Sequence, residues 1–223
     1  MKHSLQGQLV ALSLLAMVST GVVADAPTSD FLPSTPKLEP VKGVEGSYGW
    51  DNPKQDVSAY DKLMIENVQI FLAPDSPYKG IDGQQMQMIS ETMRAVMTAN
   101  LEPAYPVVSQ PGPGVMRMSL AITNLKITKK RKNLINYTPV GLVVGGLRQL
   151  ADALSNISLE GAMVEADIVD TQSDERIAVR IATKPFAQAN VSENEMSWSS
   201  LEAAFEFYAK EVRSGLDRAH GKK

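Results

Sequence analysis

Between Met116 and Thr123 the chain alternates without a fault. Met116, Met118, Leu120 and Ile122 are apolar, and Arg117, Ser119, Ala121 and Thr123 between them are polar or small. A period of two residues marks a β-strand with one buried face, because successive side chains of an extended chain point to opposite sides. Such a strand cannot stand alone. Its apolar face needs a second layer, and its backbone N–H and C=O groups need neighbouring strands. The pattern resumes at Leu125 and Ile127 after a slip at Asn124, so the strand is long and contains an irregularity.

Helical spacing elsewhere supplies the second layer. Met86, Ile89, Met93, Val96 and Met97 recur at intervals of three and four, the spacing of one helix face. Asp82 and Gln85 form a capping-box variant before them, Ile81 and Met86 hold the staple positions, and Pro103 ends the run. A second apolar stripe, Leu201, Phe205, Tyr208, Val212 and Leu216, follows a capping box read at Ser199 and Glu202. Further strands are expected around Leu63 to Ile70, with a bulge near Asn67, and over 105–108. A hairpin is expected over 159–169 and 176–182, with Val164, Ala166 and Ile168 facing inward and Glu165 and Asp167 facing solvent. Val140, Val143, Val144, Leu147, Leu150 and Leu154 suggest a short Gly-rich helix after Pro139. This order predicts an α+β fold: a mixed, mostly antiparallel sheet with two long helices and one short Gly-rich helix packed on one face.

The N-terminus reads as a leader. Lys2 precedes a ten-residue apolar run from Leu9 to Val18, and Val22 and Ala24 fit the −3 and −1 positions of a signal-peptidase site, with cleavage between Ala24 and Asp25. The run is shorter than the ~18 to 20 apolar residues of a membrane span. Residues 25–58 carry Pro27, Pro33, Pro36, Pro40 and Pro53 with three glycines and no periodicity, which predicts an extended arm before a single α+β domain over 59–223. Cysteine is absent, so an exported chain of this kind would be held by its core alone and would carry no lipid at the cleavage site. The expected location is the periplasm, with outer-membrane association or secretion beyond it left open. The formal net charge is −3, and loss of Lys2 with the leader makes it more negative. That balance argues against a nucleic-acid partner, and no transmembrane span is expected in the mature chain.

Chemistry-bearing constellations are sparse. Histidine occurs only at His3 and His220, and without cysteine the usual zinc, Cys-His and Ser-His-Asp sites cannot be assembled within one chain. No cofactor, metal ligand or catalytic residue is assigned. Ser76 and Lys79 have the S-x-x-K spacing of penicillin-recognising enzymes, but Pro77 and Gly80 place them in a loop and the partner motifs are missing. Glu160, Glu165, Asp167, Asp170 and Asp174 lack the alternating ligands and closing Glu of a calcium loop. Two of them could in principle make a glycosidase pair. Met86, Met88, Met93, Met97, Met116 and Met118 read as adaptable core rather than a copper site.

One surface stands out. Lys126, Lys129, Lys130, Arg131 and Lys132 put five positive charges in seven residues and lead into an uncharged stretch from Asn133 to Leu147. Tyr137, Pro139, Gly141 and Gly145 belong to that stretch, and the two glycines share a face where a second backbone could approach. These residues form the candidate interaction surface, for an envelope protein or for an anionic envelope surface such as lipid headgroups or lipopolysaccharide. Tight packing of the same segment on the sheet is the competing reading.

Several stretches carry a family resemblance. Phe31-Leu32, Tyr60-Asp61-Lys62-Leu63-Met64-Ile65, Gln110-Pro111-Gly112-Pro113-Gly114-Val115, Tyr137-Thr138-Pro139-Val140-Gly141 and the region from Trp198 to Tyr208 follow in one order. In them the chain resembles the domain-of-unknown-function family thirty-three thirteen, envelope proteins of Gram-negative bacteria that are mostly predicted lipoproteins. This sequence lacks their lipid-attachment cysteine. The resemblance brings no catalytic residues. The expected function is a non-enzymatic periplasmic binding or assembly module. The alternatives are a hydrolase of envelope polymers acting through a carboxylate pair and a membrane-inserting envelope subunit.

Overall fold

The computed structural model describes residues 29, 31–32, 34–102, 104–129, 153–189 and 197–222. The leader with its Ala24–Asp25 cut and the short Gly-rich helix expected after Pro139 lie outside the described residues. Among those described, seven strands form one sheet: β1 (Glu39–Pro40), β2 (Ser47–Asp51), β3 (Lys62–Ile65), β4 (Gln69–Leu72), β5 (Val115–Lys129), β6 (Ile157–Asp170) and β7 (Arg176–Ala182). Their order is β1-β2-β7-β6-β5-β3, with β4 also on β5. β3 and β4 run parallel to β5, and the other pairs are antiparallel. Three described helices, α1 (Gly83–Leu101), α2 (Pro185–Gln188) and α3 (Trp198–Ala219), complete an α+β fold.

The long strand β5 organises the sheet. Its alternation carries it from Val115 onward, and its pairing with β6 shifts register between Thr123 and Lys126. Asn124 sits at that slip with a φ of 47°, a left-handed conformation that asparagine tolerates better than most residues. On its other side β5 meets β3, then β4, with the break between them at Glu66, whose N–H donates to the Met118 carbonyl at 3.1 Å. The loop after β4 continues along β5, with Ala73 N–H bonded to Leu125 O and Tyr78 N–H to Ile127 O, each at 3.0 Å. Residues 105–108 do not make the expected strand. One parallel bridge joins Val107 to Leu63, and Pro106, lacking an N–H, contributes only its carbonyl.

The helix starts follow local chemistry. Gln85 N–H donates to Asp82 Oδ1 at 2.8 Å and Asp82 N–H to Gln85 Oε1 at 3.0 Å, the reciprocal capping box predicted for α1. The cap of α3 is Ser197 with Ser200, not Ser199 with Glu202. Trp198 is buried in the core, which draws the first turn inward and starts the helix two residues earlier.

Both long helices cover one face of the sheet. Ile89, Met93 and Met97 of α1 and Leu201, Phe205 and Leu216 of α3 join Met116, Met118, Leu120, Ile122, Val164 and Ile168 in one core. The opposite face has its own cover. The described part of residues 25–58 is not a detached arm, because it supplies β1 and β2, and β2 pairs with β7 along Ser47–Asp51. Upstream, the ring of Phe31 lies 6.4 Å from that of Phe71 on β4, while Leu32 and Leu38 pack with Val179 and Ile181 of β7. Arg176 Nη1 donates to Ser34 O at 2.6 Å. Residues 31–32 and 34–38 therefore form a strap across the second face. This arrangement corrects the expected outward Glu165: it is 1% exposed, accepts a hydrogen bond from Thr123 Oγ1, and leaves Oε2 without a described partner.

Candidate functional site

Ser76 is fixed as a structural tie. Its Oγ lies 2.9 Å from Tyr78 O and 3.3 Å from Ile127 O, and it accepts the Ile127 N–H at 3.1 Å. Lys79 donates to Pro74 O at 2.7 Å. The hydroxyl thus sutures the loop after β4 to the buried edge of β5.

The hairpin carboxylates are engaged in structure. Asp170 accepts the N–H groups of Gln172 and Ser173 at 2.8 and 2.7 Å, and those bonds, Ser173 first, hold its carboxyl below the usual range against a partial desolvation. Asp167 forms a two-pronged pair with Arg176, both contacts at 2.7 Å, and Asp174 pairs with Arg117 at 3.0 Å. Among the described residues no group of three or more His, Cys, Asp or Glu is placed to hold a metal ion. Four of the six singled-out methionines are buried in the main core, and Met86 and Met88 pack against it.

Of the candidate interaction surface, Lys126 and Lys129 are described. Lys126 Nζ pairs with Asp75 Oδ2 at 2.6 Å, and Lys129 is exposed at the end of β5. The rest, Lys130, Arg131, Lys132, Tyr137, Pro139, Gly141 and Gly145, lie outside the described residues. No described helix is long and apolar enough to cross a membrane.

The structure shows a feature that sequence reasoning missed. A cleft of about 330 Å³ opens between α3 and the inner face of the sheet. Met118, Leu120, Ile168 and Ala178 line its floor and Phe205 and Leu216 its roof, with Asp51, Arg180, Glu211 and Arg218 among its charged lining. The floor is low because β2 and β7 place small residues there: Ala178 pairs with Asp51, Arg180 with Gly49, and Ala182 with Ser47. Gly49 leaves space for Arg180, since a Cβ on it would come within 2.9 Å of Arg180 Cδ and would displace that side chain. Arg180 therefore lies flat on the sheet. Its Nη1 donates to Trp50 O and Val179 O at 3.0 and 2.8 Å, and its Nη2 to Asp51 Oδ1 at 2.6 Å. Tyr208 also lines the cleft. Burial pushes its phenol above the ordinary value, so it stays a neutral donor, and it donates to Gln188 Oε1. A second hollow of about 700 Å³ adjoins, with Glu45, Glu160 and Lys184 in its more polar lining and Val44 and Phe207 shared between the two.

A family model described as a protein of unknown function, DUF3313, matches residues 27–212. No curated protein matches the chain. Among solved structures, a DUF4136 family protein from Bacteroides thetaiotaomicron is 8% identical with a TM-score of 0.38, over 78% of this chain and 96% of that one. A PelC dodecamer from Paraburkholderia phytofirmans is 11% identical with a TM-score of 0.34, over 75% of this chain and 94% of that one.

Proposed function

The chain belongs to the DUF3313 family of proteins of unknown function, and on that premise we propose that it is a non-enzymatic binding or assembly module of the bacterial cell envelope. In this reading the leader exports it to the periplasm, the fold acts as a rigid frame, and the cleft beneath α3 receives the apolar part of its ligand or partner. The observation that carries the proposal is that cleft: a largely apolar concavity with a few polar groups at its margin is the usual form of a small-ligand site. The engagement of Ser76, Asp167 and Asp170 in structural bonds supports binding over hydrolysis. Electrostatic contact with an anionic envelope surface would fall to Lys126 and Lys129–Lys132, the Lys126–Asp75 pair being open to water and therefore weak.

Gly215 gives a clean test. It lines the cleft from α3, and a Cβ there would meet nothing closer than Arg218 Nη2 at 4.0 Å. Gly215→Phe should fold, gaining up to about 0.5 kcal/mol from the removal of a helix-interior glycine, while its ring fills the cleft. The uncharged dye N-phenyl-1-naphthylamine should bind the parent protein saturably with a rise in fluorescence, and the variant should lose that binding. No binding by the parent, or equal binding by both, would remove the cleft as the site.

A further inference from the structure

The cleft has a charged end as well as an apolar depth, and the combination specifies a class of ligand. Resting on the reading of the cleft as a binding site, we propose that it takes a single-chain anionic amphiphile, with the alkyl chain along the partly exposed Ala166, Tyr208, Val212 and Gly215 and the acidic head on the guanidinium of Arg180.

The position of Arg180 is the starting point. On β7 it stands between Ala178 and Ala182, both buried, on the face that packs toward α3. A sheet position of that kind ordinarily takes an apolar side chain, whereas the Arg180 side chain keeps 40% of its surface open to solvent. Gly49 makes the room for it. Arginine has five N–H donors. Two on Nη1 reach the carbonyls of Trp50 and Val179, and one on Nη2 reaches Asp51. The Nε hydrogen and the second Nη2 hydrogen have no partner among the described residues. With Nη2, the Nε–H makes the side of the guanidinium that a carboxylate or phosphate can address.

The Asp51 pair does not block that side. The Arg180 and Asp51 side chains are 40% and 69% exposed, and an ion pair so open to water is weak. Arg218, also at the cleft, has no ion pair among the described residues and offsets the negative charge of Glu211, exposed on α3. Away from the charges the lining is aliphatic and aromatic, which suits one alkyl chain. A fatty acid and a lysophospholipid share this chemistry, so the test separates them.

The experiment displaces N-phenyl-1-naphthylamine from the full mature chain with dodecanoate, with lauroyl lysophosphatidylglycerol and with dodecanol. A charge-assisted head contact should favour an anionic competitor over dodecanol by about tenfold, and the tighter of the two anions identifies the source. Within the alkyl carboxylates, each added methylene should tighten binding about fourfold until the cleft is full. Arg180→Gln should bring dodecanoate down to the level of dodecanol. Asp51→Asn frees the guanidinium and should raise the ratio of dodecanoate to dodecanol affinity, which tests the head site independently should Arg180→Gln fold poorly. Equal displacement by dodecanoate and dodecanol in the parent, or an anionic advantage that survives in Arg180→Gln, would overturn the proposal and leave the cleft as a site for apolar groups. Absence of dye binding would instead overturn the cleft itself.

Discussion

Replacing Ser76 by Ala removes one oxygen from a place that water barely reaches. Ser76 is 6% exposed and Ile127, which it holds, is 0% exposed. The hydroxyl donates to Tyr78 O or Ile127 O and accepts the Ile127 N–H. Loss of the donated bond costs about 1 kcal/mol, and the stranded Ile127 N–H costs a further 1–3 kcal/mol or so, because no solvent replaces its partner. The expected loss is therefore about 2–4 kcal/mol. In a domain of this size it appears as a drop of about 4–16 °C in melting temperature, or as a lower urea midpoint at constant slope. Lys79→Ala breaks only an exposed contact with Pro74 O and should stay within about 0.5 kcal/mol of the parent. A catalytic pair would behave differently, since both substitutions would abolish activity and neither need lower stability. A Ser76→Ala protein that melts with the parent would refute the structural account of this loop.

Two further perturbations test the frame. Leu32 is buried against Val179 and Ile181, so Leu32→Ala should cost about 2 kcal/mol, the low end for a core leucine because the strap can lift without unfolding the sheet; hydrogen exchange should show lost protection in β7, and unchanged protection would mean that the strap contributes nothing there. Asp170 has a depressed carboxyl pKa, so its contribution is present above the unfolded value and lost as pH falls through the lower folded value; stability should decline below about pH 4, Asp170→Asn should flatten that acid limb, and identical acid limbs would count against the turn as its source.

What the sequence revealed and what it hid divide by the range of the interaction. The alternation of β5, the slip at Asn124 and the Asp82–Gln85 box are local patterns, and each appears as read. β2 was not legible because Ser47–Asp51 is a short segment among prolines and glycines whose partner is β7, more than a hundred residues away. Glu165 was misread because alternation assigns one face of a strand to solvent, whereas residues 31–32 and 34–38 cover the second face. The cap of α3 was displaced because Ser197, Ser199 and Ser200 all have capping chemistry, and only the packing of Trp198 selects among them. The cleft had no periodic signature. Its floor includes Ser47, Ala178 and Ala182 from two strands, and small residues scattered along a chain look unremarkable until register aligns them.

The pairing of β2 with β7 also sets an order of events. A chain delivered N-terminus first, by a ribosome or through a secretion pore, presents Tyr48 and Trp50 long before their cross-strand neighbours Ile181 and Val179 arrive. The β6–β7 hairpin is local and closes quickly once complete, but the N-terminal wing must wait for it, and distant pairings of this kind slow folding. During that wait residues 39–51 are an unpaired aromatic edge, the form of chain that invites aggregation. A chain halted before Arg176 therefore leaves more than its C-terminal portion unbuilt, because its first strands have nothing to join. Maturation of this protein is in effect retroactive: the last strand of the sheet to be delivered gives the N-terminal ones their place.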